Sequence, residues 1–320
     1  MKGGADGWGD DGRIPQTGAT PVPALLLVAA MSLLSGCQPR GTPLAPGLDR
    51  VLDPVPALSV PDSAMRWLDV AGAPYEDAFR IPRFYEPSER RHVRVEWASQ
   101  AETFRGRIIA RGLKPNFAYQ LKLMGRAGVM PGDSTPESLA SRRLGKLGRW
   151  WAMDDGSNLA DGEVEIWLKA GRDIRGYILF DFLVTDRDGD CIHDFALDSS
   201  YHVLWRSDQR KRHRTDSPHR KVRVDRGQYG YGPSGAPAPE TVLLFAEKEE
   251  PRPRPGNVAL PPGEYPVLFN ITEESFHANQ KTRVEDGGFW AQVLEGPVDF
   301  SVDRAARELK APAGRKPDGP

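Results

Sequence analysis

Between residues 92 and 302, apolar side chains recur at every second position in short runs, and that period limits the chain to a strand-built fold. His92-Val-Arg-Val-Glu-Trp97 alternates strictly, which puts Val93, Val95 and Trp97 on one face. Phe104 to Ala110 alternates more loosely, and Tyr119 to Leu123 and Glu163 to Trp167 repeat the pattern. A period of two predicts half-buried antiparallel strands. Tyr177 to Val184 and Thr241 to Phe245 are more continuously apolar and read as central strands. Pro266 to Thr272, Phe289 to Leu294 and Val298 to Val302 bring the set to about ten. The 33 glycines and 29 prolines supply the turns between them. The expected fold is all-β, an antiparallel β-sandwich over 65–302, built as one large or two small domains.

One segment breaks the period. Ser134-Thr-Pro-Glu137 reads as a helix start, with Ser134 or Thr135 as cap and Pro136 in the first turn. Ala140, Leu144, Leu147 and Trp151 follow at helical spacing, which predicts one short helix over 135–148 inserted between strands. A further local signal is Leu113-Lys-Pro-Asn-Phe-Ala-Tyr119. It resembles the tyrosine corner of fibronectin type III and immunoglobulin-like sandwiches, where the tyrosine hydroxyl reaches back to a backbone group. The match spans Arg91 to Met124 and implies a fold, not an activity.

Apolar residues are 39% of the chain and charged residues 27%, enough for a packed core. The net charge of −1 gives the whole molecule no field that would attract nucleic acid. The two cysteines are Cys37 and Cys191. With Cys37 committed elsewhere, as argued next, no intrachain disulfide is expected.

Ala24 to Leu34 is an uncharged run of 11 residues, shorter than the roughly 20 a membrane span needs but right for a signal-peptide core. It closes on Leu34-Ser35-Gly36-Cys37, which resembles the bacterial lipobox. The resemblance implies a signal peptide over 1–36, lipidation (palmitate among the acyl chains) on Cys37, and a membrane-anchored location in the cell envelope. Gln38 follows, where an inner-membrane lipoprotein would carry aspartate, so the outer membrane is expected. Asp6, Asp10 and Asp11 precede the run, and a true start downstream of Met1 would account for them. The proline-rich stretch 37–64 reads as a stiff tether and 303–320 as a disordered tail.

Asp186-Arg-Asp-Gly-Asp190 places carboxylates at alternate positions of a tight loop. Asp186, Asp188 and Asp190 could converge on Ca²⁺, a cation that prefers oxygen ligands. Against this, Cys191 and Leu197 stand where an EF-hand loop has glycine and glutamate, and Asp and Gly are also the residues of an ordinary hairpin turn. His193 and His202 could meet across a hairpin beside Cys191, which makes a zinc- or copper-type site a further option. Cys191 as a nucleophile would need an electropositive setting, and it lies instead between an acidic turn and an apolar strand. The chain has no Gly-x-Ser-x-Gly elbow and no phosphate-binding glycine loop.

Arg206 to Arg226 carries nine Lys and Arg against three Asp. Arg210, Lys211, Arg212, Arg214, Arg220 and Lys221 could hold an anionic partner, though a solvated loop between strands has the same composition. The expected function is therefore that of an envelope lipoprotein whose sandwich binds a protein or glycan partner, not a nucleic acid. No residue is expected to be catalytic. An extracytoplasmic hydrolase on the same scaffold is the alternative.

Overall fold

The computed structural model describes residues 43–56, 69–70, 91–126, 129, 133–199, 201–206, 219–224, 240–248, 258–274 and 290–303. Apart from Pro43 these belong to the compact unit Leu44–Pro320. The expected signal peptide, Cys37, the basic positions Arg210, Lys211, Arg212 and Arg214, and the tail beyond Asp303 lie outside the described residues. No described helix is long and apolar enough to cross a membrane.

Strands β1 (Arg50–Pro56) and β2 (His92–Trp97) are followed by the short β3 (Gln100–Ala101), then β4 (Arg105–Arg111) and β5 (Ala118–Gly125). Helix α1 (Pro136–Leu147), strands β6 (Arg149–Ala152) and β7 (Asn158–Leu159), and helix α2 (Asp161–Lys169) come next. Strands β8 (Ile174–Val184), β9 (Cys191–Ala196), β10 (Tyr201–Arg206), β11 (His219–Val224), β12 (Glu240–Lys248), β13 (Gly263–Glu274) and β14 (Trp290–Val302) complete the order. The molecule is thus mostly β, with two helices among the described residues. The strands form a four-stranded sheet (β1-β2-β4-β9), a seven-stranded sheet (β3-β14-β13-β5-β8-β6-β7) and a three-stranded sheet (β10-β12-β11). Pairing among them is antiparallel except for the parallel contact of β3 with β14.

The alternation in β2 does what its period requires. Val93, Val95 and Trp97 are buried, and so are Ile108 and Ala110 of β4 beside them. From the seven-stranded sheet, Tyr119, Leu121 and Leu123 of β5, Phe180 of β8 and Phe269 of β13 join the same core cluster. Phe104 ties the two sheets together, its ring 4.6 Å from Phe300 and 5.1 Å from Phe195. Aromatic pairs at such spacing add about 0.5–1.5 kcal/mol to simple burial.

Helix α1 forms as its sequence dictates. The Thr135 hydroxyl accepts from the Ser138 N–H, Pro136 opens the first turn, and Ala140 and Leu144 bury one face. The helix packs on β8, β13 and β5. A side chain on Gly176 of β8 would overlap the Ser141 carbonyl, so glycine there lets helix and sheet approach. Trp151 lies beyond the helix, on β6, because the chain turns at Gly148.

Several expectations are corrected. Glu163 to Trp167 is helical, within α2, not a strand. Its Glu163 carboxylate accepts from the Ala160 N–H at 2.7 Å, closing the first turn. Val164, Trp167 and Leu168 then share a face against Trp150, while Ile166 is 67% exposed. The stretch read as a tether contributes β1, which pairs with β2 through an irregularity between Leu52 and Val55. Pro54 is tolerated because β1 is an edge strand. The runs Phe289 to Leu294 and Val298 to Val302 merge into the single β14. Pro297 does not break it, since β3 covers only Ser301 and Val302 and the proline sits where β14 has no second partner strand among the described residues. Finally, the turn after Thr185 is not a hairpin: β8 and β9 belong to different sheets, so the acidic loop is a crossing between them.

Tyr119 is fully buried, and its hydroxyl accepts from the Lys114 N–H at 3.0 Å, as the tyrosine-corner pattern anticipates. Tyr119→Phe is expected to lower unfolding free energy by about 1–2 kcal/mol, because a buried N–H loses its acceptor. Urea denaturation measures this, and an unchanged midpoint would remove the hydroxyl from any role in the corner.

Candidate functional site

The sheet crossing and the tyrosine-corner loop are interlocked. Asp186 N–H donates to the Asp190 carbonyl at 2.9 Å, and the Asp186 carbonyl accepts from Gly189 at 3.1 Å and Asn116 at 3.0 Å. The Thr185 hydroxyl donates to the Lys114 carbonyl at 2.5 Å and accepts from the Phe117 N–H at 3.0 Å. The Gly189 carbonyl accepts from Leu113 N–H at 3.0 Å, and Gly189 has φ of +78°. The two loops thereby satisfy one another's backbone groups, as backbone withdrawn from water must be satisfied.

This geometry decides how the three aspartates are used. Asp186 Oδ1 accepts from the N–H groups of Asp188 (2.8 Å) and Asp190 (2.9 Å), the pattern of an Asx turn. Asp190 turns the other way, accepting from Gly112 N–H and from Arg111, each at 3.0 Å. Asp188 lies 3.6 Å from Arg187. Their carboxylates serve the loop and neighbouring cations instead of converging. Among the described residues no group of three or more His, Cys, Asp and Glu is placed to hold a metal ion.

Strand β9 then carries the chain along the rim of the core. Phe195 points inward with the half-buried Cys191 and His193, while Ile192, Asp194 and Ala196 point outward. The His193 Nε2 lies 2.7 Å from Oδ2 of Asp181, a carboxylate buried on β8 of the other sheet. Oδ1 of Asp181 accepts from the Phe182 N–H at 2.7 Å. A carboxylate withdrawn from water needs such partners. His193 therefore meets Asp181 across the inter-sheet space. The anticipated counterpart, His202, lies on β10, where only the backbone is described. Cys191 packs against the core cluster. On the outer face, Arg107 grips Asp194 at 2.6 and 3.1 Å and holds its carboxyl below the usual range.

A recess of about 400 Å³ opens at this point, walled on one side by Asp190, Cys191 and His193 and on the other by Lys221 and Arg223. Lys221 and Arg223 stand two apart on β11, so they share a face, and both are exposed. Residues of the acidic turn and of the histidine strand that follows it directly meet the basic segment, which lies further along the chain. Of the basic candidates, Lys221 lines the recess, and Arg220 is on the same strand.

The corner loop also carries a buried ion pair that pattern reading passes over. Lys114 Nζ is 2.6 Å from Glu273 Oε2, with both side chains at 0% exposure. The ammonium also lies 5.2 Å from the centre of the Phe117 ring. Burial pushes the Lys114 ammonium below its usual range, opposed by Glu273. Burial likewise drives the Tyr119 phenol well above its ordinary value, and the Glu273 charge adds to this. In the sequence Lys114 is only the polar residue inside the corner motif, and Glu273 only one of many acids; nothing local marks them as partners. Asp181, inside the most apolar strand, is the one missed position with a signal of its own. Comparison with family models, with curated proteins and with solved structures finds no match for this chain.

Proposed function

We propose that the chain is a lipid-anchored protein of the bacterial cell envelope whose β-domain, a sandwich of the immunoglobulin or fibronectin type III kind, binds an anionic protein or glycan. The anchor rests on the apolar run ending at Leu34-Ser35-Gly36-Cys37, and Gln38 favours the outer membrane. The sandwich is supported by the core that the four- and seven-stranded sheets share and by the Tyr119 hydroxyl bonded to Lys114.

The observation that carries the binding role is the basic wall of β11. Lys221 and Arg223 are exposed, lie on one face of an edge strand, and border a recess that His193 lines from the other side. Edge strands bearing cations resist pairing with other strands, and the same cations attract polyanions. An open basic wall of this size suits recognition of a repeating charged chain better than it suits a reaction sealed from water.

Titration of the full chain with a sulfated glycan (heparin) tests this. Binding is expected to weaken with salt, since exposed charges are screened over about 8–10 Å at physiological ionic strength. The double variant Lys221→Glu/Arg223→Glu should weaken it by about tenfold or more, equivalent to roughly 1.4 kcal/mol. Equal binding by wild type and variant would overturn the assignment of the wall as the binding face.

A further inference from the structure

A second concavity, remote in sequence from the β9–β11 recess, lies between α1, β6 and α2. It has a volume of about 750 Å³. Its floor is apolar: Val129, Trp150 and Val164 are buried there, and Leu168 is half-buried beside them. That volume is in the range of sites that take a ligand of tens of atoms. The floor belongs to a small cluster of its own, separate from the main core, because α2 brings Val164 and Leu168 over Trp150.

The rim is charged, with both signs present. Its two carboxylates are engaged: Asp161 accepts from the Trp150 indole N–H at 2.7 Å, and Glu165 pairs with Lys169 at 2.9 Å. On the facing helix, Arg142 and Lys146 both line the cleft one turn apart. With Lys169 they give the rim three cations against two carboxylates, an edge of net positive charge. Lys146 also stands in the last turn of α1, but the apolar floor beside it excludes a small hydrated anion as the best fit. What matches both features is a molecule with an apolar body and an anionic end.

We infer that this cleft binds an amphiphile with a single apolar chain and an anionic head group, the chain lying over Trp150 and Val164 and the head reaching Arg142 and Lys146. The shared chemistry is that of a long-chain carboxylate or a lysophospholipid, two sources that the experiment separates. The inference does not depend on the basic wall of β11.

The test is displacement of a fluorescent acyl probe, 11-(dansylamino)undecanoic acid, from the full chain purified without detergent. Laurate should displace it at least tenfold more tightly than dodecanol or dodecyltrimethylammonium, which share its tail but not its charge. Lauroyl lysophosphatidylglycerol run in parallel distinguishes the sources: tighter displacement than laurate assigns a membrane lipid, and weaker displacement assigns a free acid. Lys146→Glu, at an exposed position that should leave folding intact, is expected to weaken laurate about tenfold and leave dodecanol unchanged. Leu168→Trp, which adds bulk to the apolar lining, should weaken every chain-bearing competitor, with far-ultraviolet circular dichroism confirming the fold. Equal displacement by the three head groups, no binding of the probe, or laurate binding indifferent to Lys146→Glu would each overturn the inference.

Discussion

Replacing Glu273 with leucine is expected to lower unfolding free energy by about 3–5 kcal/mol, the usual cost of leaving one member of a buried ion pair without the other. The variant would strand the Lys114 ammonium, 0% exposed, within the tyrosine corner. Part of the penalty should fade with pH. The folded-state Lys114 already sits below its normal range, and removing Glu273 takes away the two interactions that raise it. Between that lowered value and the unfolded-state value near 10.5, the unfolded chain binds more protons. The deficit of Glu273→Leu should therefore shrink as pH rises toward 10, once Lys114 can be buried uncharged. The double variant Lys114→Met/Glu273→Leu should recover most of the loss, since an apolar pair of similar volume removes both desolvation costs. Urea denaturation at pH 7 and pH 9.5 measures all three chains. A deficit under about 1 kcal/mol for the single variant would show that the pair carries no weight in the fold.

Gly189→Ala should be nearly as severe, at about 2–5 kcal/mol, the sum of a backbone cost and a steric one. The residue has φ of +78°, where an L side chain costs about 1–2 kcal/mol. Its new Cβ would also overlap the Leu113 carbonyl, and such overpacking typically costs a further 1–3 kcal/mol. Gly171→Ala separates the two effects. Gly171 has φ of +75° but nothing within 4 Å of the point a Cβ would occupy, so it should show the backbone cost alone. Urea denaturation of the two variants measures the difference. If the two substitutions prove equally costly, the interlock between the 111–117 and 185–190 loops contributes nothing beyond local conformation.

The sequence is most legible where one local rule decides the outcome. Strict alternation at His92–Trp97 becomes β2 with Val93, Val95 and Trp97 inward as expected, because successive side chains of a strand point to opposite faces. Thr135 and Pro136 mark the start of α1, because capping depends on neighbours in sequence. Tyr119 finds its backbone donor five residues upstream, again a local closure. Where two local rules compete, the stronger partner wins. Glu163 to Trp167 satisfies both a strand and a helix pattern, and the Glu163 cap with the Val164–Trp167–Leu168 face settles it as α2.

What alternation, capping and turn chemistry determined by themselves was therefore the β-rich class, the faces of β2, β4 and β5, the start of α1 and the corner at Tyr119. Only the tertiary structure decided which strands became neighbours. It sent the Asp186–Asp190 loop from one sheet to the other and occupied the Asp186 and Asp190 carboxylates with N–H groups and Arg111. It also joined His193 to Asp181 and Lys114 to Glu273. Lys114 and Glu273 stand 159 positions apart, and no period or spacing along the chain encodes such a meeting. The physical reason is that burial removes water as a partner, so each withdrawn charge must take its counterion from whatever the packed sheets bring alongside it.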